Sequence, residues 1–219
     1  MKTFVLNGWA ASPEAWSLCS FQRDRVFSYT EELDGLAREA VAAAEEEVTL
    51  VGWSMGASMA LGLAADFREK IANLVLVAAT PRMMEEKSTG WAGMSERRLA
   101  ALEYAMKISG GQGFFGPPEG KPNPYMSDGE ENLARGIAYL RETDLRAKLE
   151  EAFASRERGF PVHLFQSERD AIVRSENVGY LRRIFPRAAV TLVPGAEHAL
   201  SLFLNAEIDA AVSGAPASV

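Results

Sequence analysis

VTLVGWSMGASMALGLAA, residues 48 to 65, sets Ser54 between Gly52 and Gly56 directly after an apolar run. A run rich in Val and Leu, without polar alternation, suits a strand buried on both faces. The small residues that follow continue as a helix, so the serine falls at a strand-to-helix turn. Glycine beside it lets the backbone turn sharply and tolerates crowding. In a chain with 18 Gly the pentapeptide alone is a weak signal, and its surroundings have to decide.

Those surroundings are regular. Five segments read as doubly buried strands: TFVLN (3–7), VTLVG (48–52), LVLVAA (74–79), VHLFQ (162–166) and VTLV (190–193); RVFSY (25–29) is a weaker sixth. Helical stretches separate them. Ser12-Pro13 opens one, Thr30 is read as the cap of EELDGLAREAVAAAEEE, Ser54 leads into MGASMALGLAADF, and residues 176–185 and 200–212 form two more. Strand–helix alternation predicts an α/β fold with about six mostly parallel strands.

Residues 81–159 break this rhythm. They hold two helical blocks, 95–108 and 127–153, the second opened by a Ser127–Glu130 capping box. The Gly/Pro-dense stretch between them is irregular. The chain therefore divides into a core of residues 1–80 and 160–219 and a helical lid insertion of residues 81–159.

Composition narrows the function classes. The 219 residues are 47% hydrophobic and 24% charged, enough apolar material for a sizeable core. A net charge of −7 gives no field that attracts nucleic acid or an anionic membrane. Cys19 is the single cysteine, so no internal disulfide forms, and packing or a surface position is expected for it. The apolar piece near the start is about five residues long, below the ~7–15 of a signal core, and no run reaches the ~18 of a membrane span. The expectation is a cytoplasmic protein without metal or cofactor; monomer is the default, and no residue pattern addresses oligomeric state.

A serine after a buried strand and before a helix fits the nucleophile-elbow motif. Its hydroxyl needs a base, and the chain has two histidines. His163 lies inside a strand. His198 follows the last strand, at the sheet edge where Ser54 is expected, and is the candidate base. Asp170 leaves the strand HLFQS at that edge and is the candidate carboxylate, with Glu168 and Glu197 as rivals. The order Ser54, Asp170, His198 is that of an α/β-hydrolase fold. The amides of Met55 and of Trp9, in the loop after the first strand, are candidates for an oxyanion hole.

At these residues the chain resembles the pimeloyl-acyl-carrier-protein methyl ester esterases of biotin synthesis. LNGWAASPEAW, LVGWSMGASMAL, LVLVAATPRM and GIAYLRETDLRAKLEEAF carry the likeness, which extends over most of residues 3–203. It implies an α/β-hydrolase fold with Ser54, Asp170 and His198 at the nucleophile, acid and base positions, and Trp9 and Met55 at the oxyanion hole. It implies hydrolysis of a pimeloyl methyl ester whose other end is thioesterified to an acyl carrier protein. Three departures stand out. Asn7-Gly8 replaces the usual His-Gly, the chain opens at the strand that carries this loop, and the carrier-docking arginines of such lids have no position-by-position counterpart.

Residues 81–159 nevertheless carry 12 Lys/Arg against 13 Asp/Glu, less acidic than the rest. Arg97, Arg98, Arg135, Arg141 and Arg146 are the candidate carrier contacts, and Trp91, Phe114 and Phe115 the candidate lining of an acyl pocket. Three other readings stay open: a general short-chain carboxylesterase, an acyltransferase using the same acyl-serine, and a non-catalytic receptor on this fold.

Overall fold

The computed structural model describes residues 1–109, 120–126, 128–155, 159–195 and 197–214. Six parallel strands form one sheet: β1 (Lys2–Leu6), β2 (Arg25–Phe27), β3 (Val48–Trp53), β4 (Ile71–Val77), β5 (Val162–Ser167) and β6 (Ala189–Val193). Their order is β2-β1-β3-β4-β5-β6. All six predicted strands are present, and the alternation fails where the sequence says it should. Every residue of β3 is buried, but β6, expected to be buried on both faces, is an edge strand with no fully buried residue and Leu192 exposed. The order reverses between β1 and β3, so the loops leaving their carboxyl ends diverge and open a crevice.

Helices α1 (Tyr29–Leu33), α2 (Leu36–Ala43), α3 (Met55–Asp66), α4 (Glu96–Ser109), α5 (Glu130–Glu142), α6 (Arg146–Ala152), α7 (Asn177–Ile184) and α8 (Asn205–Ser213) surround the sheet. Both α3 and α8 pack on β4. Trp16, Trp53, Tyr29 and Phe27 are fully buried. Among the described residues no helix is long and apolar enough to cross a membrane.

Several predicted helices are shorter or interrupted. Ser28, not Thr30, caps α1: its side chain accepts from the Glu31 amide while Glu31 accepts from the Ser28 amide. Gly35, at φ 83°, then separates α1 from α2, and the acidic run after Ala44 stays outside the helix. The Ser12-Pro13 start yields only a 3-10 turn, Pro13–Trp16, and the chain's last helical stretch opens as a 3-10 turn, Leu200–Leu202, before α8. The block predicted at 127–153 is broken at 143–145. There the Leu145 amide bonds the Pro81 carbonyl at 2.9 Å, tying the chain to the exit from β4. Ser127 lies outside the described residues, and α5 starts after Gly129 without a side-chain cap.

Cys19 is packed inside, its Sγ–H 3.6 Å from the Ser201 carbonyl. Burial pushes this thiol up to about 12, so it is neutral and inert. His163 pairs between β4 and β6 and is half-buried, with its imidazole held below the usual range by that burial.

Candidate active site

The elbow is built by close approach. β3 ends at Trp53, α3 begins at Met55, and Ser54 between them takes φ 57° and ψ −118°. A Cβ on Gly56 would stand 2.2 Å from the Leu6 carbonyl oxygen, and one on Gly52 would stand 2.6 Å from Ala57 Cα. Glycine is therefore required where β1, β3 and α3 converge. Gly56→Ala is expected to lower stability by about 3 kcal/mol or more, since backbone must move to admit the methyl group. A thermal midpoint equal to that of the native chain would contradict this packing.

Ser54 is 7% exposed, and its amide bonds the Val77 carbonyl at 2.9 Å. His198 Nε2 lies 2.8 Å from Ser54 Oγ, and His198 Nδ1 lies 2.8 Å from Asp170 Oδ2. The Asp170 side chain is fully buried. Its Oδ1 accepts from the Ile172 amide at 2.7 Å and the Val173 amide at 3.0 Å, and Gln166 donates to Oδ2 at 3.4 Å. Four donors thus converge on one carboxylate. That carboxylate accepts a hydrogen bond from Nδ1–H, which keeps the proton on Nδ1 and leaves Nε2 to accept from the serine hydroxyl. Glu168 and Glu197 are exposed, and the His198 ring bonds to neither.

Trp53 holds the histidine from behind. Its Nε1–H donates to the His198 carbonyl at 2.9 Å, and the two rings lie 5.5 Å apart. Trp53 stands in the motif beside Ser54, and nothing in the local sequence signals this task. Met55 opens α3, so its amide has no preceding helical carbonyl to bond. Gly8 packs on the same turn, where a Cβ would sit 3.3 Å from Ser54 Cβ. Trp9, the next residue, is buried.

A cavity of about 20 Å³ adjoins the serine, room on the order of one water or methoxy group. Gly8, Trp9, Trp53, Ser54, Ile172 and His198 line it from the core side. Met83, Leu102, Met106, Tyr125 and Leu140 close it from the segment between β4 and β5. No Lys, Arg, Asp or Glu is among these lining residues. The pocket is therefore neutral and apolar around the hydroxyl and the imidazole.

The expected aromatic lining is corrected. Trp91 is not at this cavity: its Nε1–H donates to the Arg82 carbonyl, its ring meets Tyr180 edge-on, and Arg146 stacks over it. Phe114 and Phe115 lie outside the described residues. The α4 and α5 positions that do line it, Leu102, Met106 and Leu140, look like ordinary buried faces of helices, and only the tertiary fold tells which of them meet the serine.

Four of the five arginines named as carrier contacts are engaged within the chain. Arg135 pairs with Asp34, Arg141 with Glu96, and Arg146 with Asp144 and Glu86. Arg98 donates to the Ala171 carbonyl at 2.8 Å. Arg97 is exposed, with no ion pair among the described residues.

A protein from Nitrosomonas europaea named pimeloyl-(acyl-carrier protein) methyl ester esterase is 26% identical, over 89% of this chain and 87% of its own length. One of the same name from Aliivibrio fischeri is 22% identical, over 93% of this chain and 88% of its own. An esterase from Exiguobacterium antarcticum superposes with a TM-score of 0.74 at 16% identity, covering 98% of this chain and 91% of that one. A hydrolase from Pseudomonas aeruginosa superposes with a TM-score of 0.71 at 18% identity, covering 97% and 89%. The family model described as the alpha/beta hydrolase family matches residues 5–211, and the chain belongs to that family.

Proposed function

We propose that the protein is a serine carboxylesterase in which Ser54 is the nucleophile, His198 the general base and acid, and Asp170 the group that fixes the imidazole. The observation that carries this reading is the unbroken chain of 2.8 Å contacts from Asp170 through His198 to Ser54, ending in a neutral cavity. Ser54 Oγ attacks the ester carbonyl as His198 Nε2 takes its proton. Amides of Trp9 and Met55 hold the developing oxyanion. The tetrahedral intermediate collapses, His198 returns the proton to the leaving alkoxide, and an alcohol departs. Water, deprotonated by the same imidazole, then attacks the acyl-serine and releases the acid. Residues 81–159 act as a lid, supplying the apolar wall that excludes bulk water.

The substrate in this reading is the methyl ester of a pimeloyl group borne on an acyl carrier protein. The names of the relatives at 22–26% identity support it, and the methoxy-sized cavity is compatible with methanol as leaving group. A second reading, a short-chain carboxylesterase without a carrier, is favoured by the arginines: four of the five are bonded within the chain.

One comparison separates the two. kcat/KM is measured for carrier-bound monomethyl pimelate and for free dimethyl pimelate. A carrier enzyme gains more than about tenfold from remote protein contacts, equivalent to ~1.4 kcal/mol of transition-state binding. Equal values would leave the carrier-independent esterase.

A further inference from the structure

Gly136 stands in the middle of α5, where glycine costs about 1 kcal/mol relative to alanine. Its place has a visible reason. A Cβ there would lie 2.2 Å from Trp9 Cδ1, 2.6 Å from Trp9 Nε1 and 3.2 Å from Tyr29 Cε2. One turn earlier on the same helix, the Leu133 carbonyl accepts the Trp9 indole N–H at 3.1 Å. The indole is thus both seated and hydrogen-bonded by α5, across 124 residues of chain.

The rest of the loop is held from the same segment. The Met126 amide bonds the Ala10 carbonyl at 3.0 Å, and the Ser12 amide bonds the Pro124 carbonyl at 2.8 Å. Ala10 takes φ 51°, a conformation that needs outside support in a non-glycine residue. On its other side α5 is fixed to α1, through Arg135 with Asp34 and through Tyr29, which donates to Asp128 at 2.5 Å. Asn7 and Gly8 anchor the start of the loop, through the Phe27 carbonyl and the Ala11 amide, and α5 with residues 124–126 hold it from Trp9 onward.

We propose that Gly136 and the Leu133 carbonyl are positioning residues for ester hydrolysis: α5 is the template that aims the Trp9 amide at the oxyanion. The inference rests on the proposal that this amide is an oxyanion donor. A donor contributes only when it is held in place before charge develops, and a displacement of about 1 Å costs roughly 10²-fold. α5 thereby serves both ends of the site, lining the cavity through Leu140 and holding the Trp9 indole through Leu133.

The test uses the full chain with p-nitrophenyl acetate as substrate and an aryl trifluoromethyl ketone as inhibitor, which adds to a serine as a tetrahedral oxyanion. Gly136→Ala is expected to lower kcat by about 10- to 100-fold with KM little changed, and to weaken the ketone by the factor lost from kcat/KM. In a Trp9→Ala background the same substitution is expected to cost nothing further. Should Gly136→Ala fail to fold, Trp9→Phe removes the indole N–H together with the ring edge that α5 seats, and is expected to lower kcat at least about fivefold, with matching loss of ketone affinity. Native kcat per titrated site in whichever variant folds, a loss confined to KM, or equal losses with and without the Trp9 side chain would overturn the inference and leave the esterase intact. A native chain that neither hydrolyses the ester nor binds the ketone would overturn both.

Discussion

Ser54→Ala is expected to abolish covalent labelling by a fluorophosphonate and to lower kcat for ester hydrolysis about a millionfold, to the level left by binding and the oxyanion hole. The size follows from the site's economy of parts. His198 Nε2 lies 2.8 Å from the Ser54 hydroxyl, and alanine offers no atom there that can take up the acyl group. Ser54 occupies a backbone conformation that alanine also must adopt, at φ 57°, so the substitution leaves the turn as strained as before. The thermal midpoint should therefore stay within a few degrees of native while activity vanishes. Initial rates and midpoints measured on one preparation check this. Residual hydrolysis within about a hundredfold of native would show that another group carries the reaction.

Asp170→Asn is expected to cost about 10⁴-fold in kcat with the fold retained. The reason lies in which oxygen does what. Oδ1 accepts from two backbone amides, Ile172 and Val173, and only a carbonyl oxygen can replace it there. Asparagine must therefore turn its NH₂ group toward His198 Nδ1. The imidazole is then an acceptor at Nδ1 and carries its proton on Nε2, so it donates to Ser54 Oγ where it should accept. The base is present, at the right distance, in the wrong tautomer. A kcat within tenfold of native would contradict the role given to the carboxylate, and a collapsed midpoint would show that the charge is needed for the fold itself.

The parts of this fold that repeat a local rule were legible in the sequence. Doubly apolar runs became the strands of a parallel sheet, and the small residues after Trp53 became α3. Ser54, Asp170 and His198 could be gathered because strand–helix alternation puts the loops after β3, β5 and β6 at one edge, and because only two histidines had to be weighed. Features set by tertiary packing were not legible. The break at 143–145 arises because the chain bonds back to Pro81. Gly136 carries no signal of its own in the sequence; its meaning comes from Trp9, far away in the chain. Trp91 read as pocket lining because an aromatic in an insertion suits either place; its bonds to Arg82 and its packing on Tyr180 show the other. Trp53 stood beside the serine in the motif, but its hold on the His198 carbonyl depends on how a loop 145 residues later returns.

The central claim is that the Ser54 hydroxyl, primed by His198 and Asp170, takes the acyl group of an ester. Brief mixing with p-nitrophenyl acetate, followed by acid quench and peptide mass analysis, tests it most directly. The account predicts an acetyl group on the peptide containing Ser54, absent from Asp170→Asn under the same mixing time. Turnover of the ester with the acetyl group on another residue, or with no acyl adduct even when release of p-nitrophenol shows a burst, would contradict it.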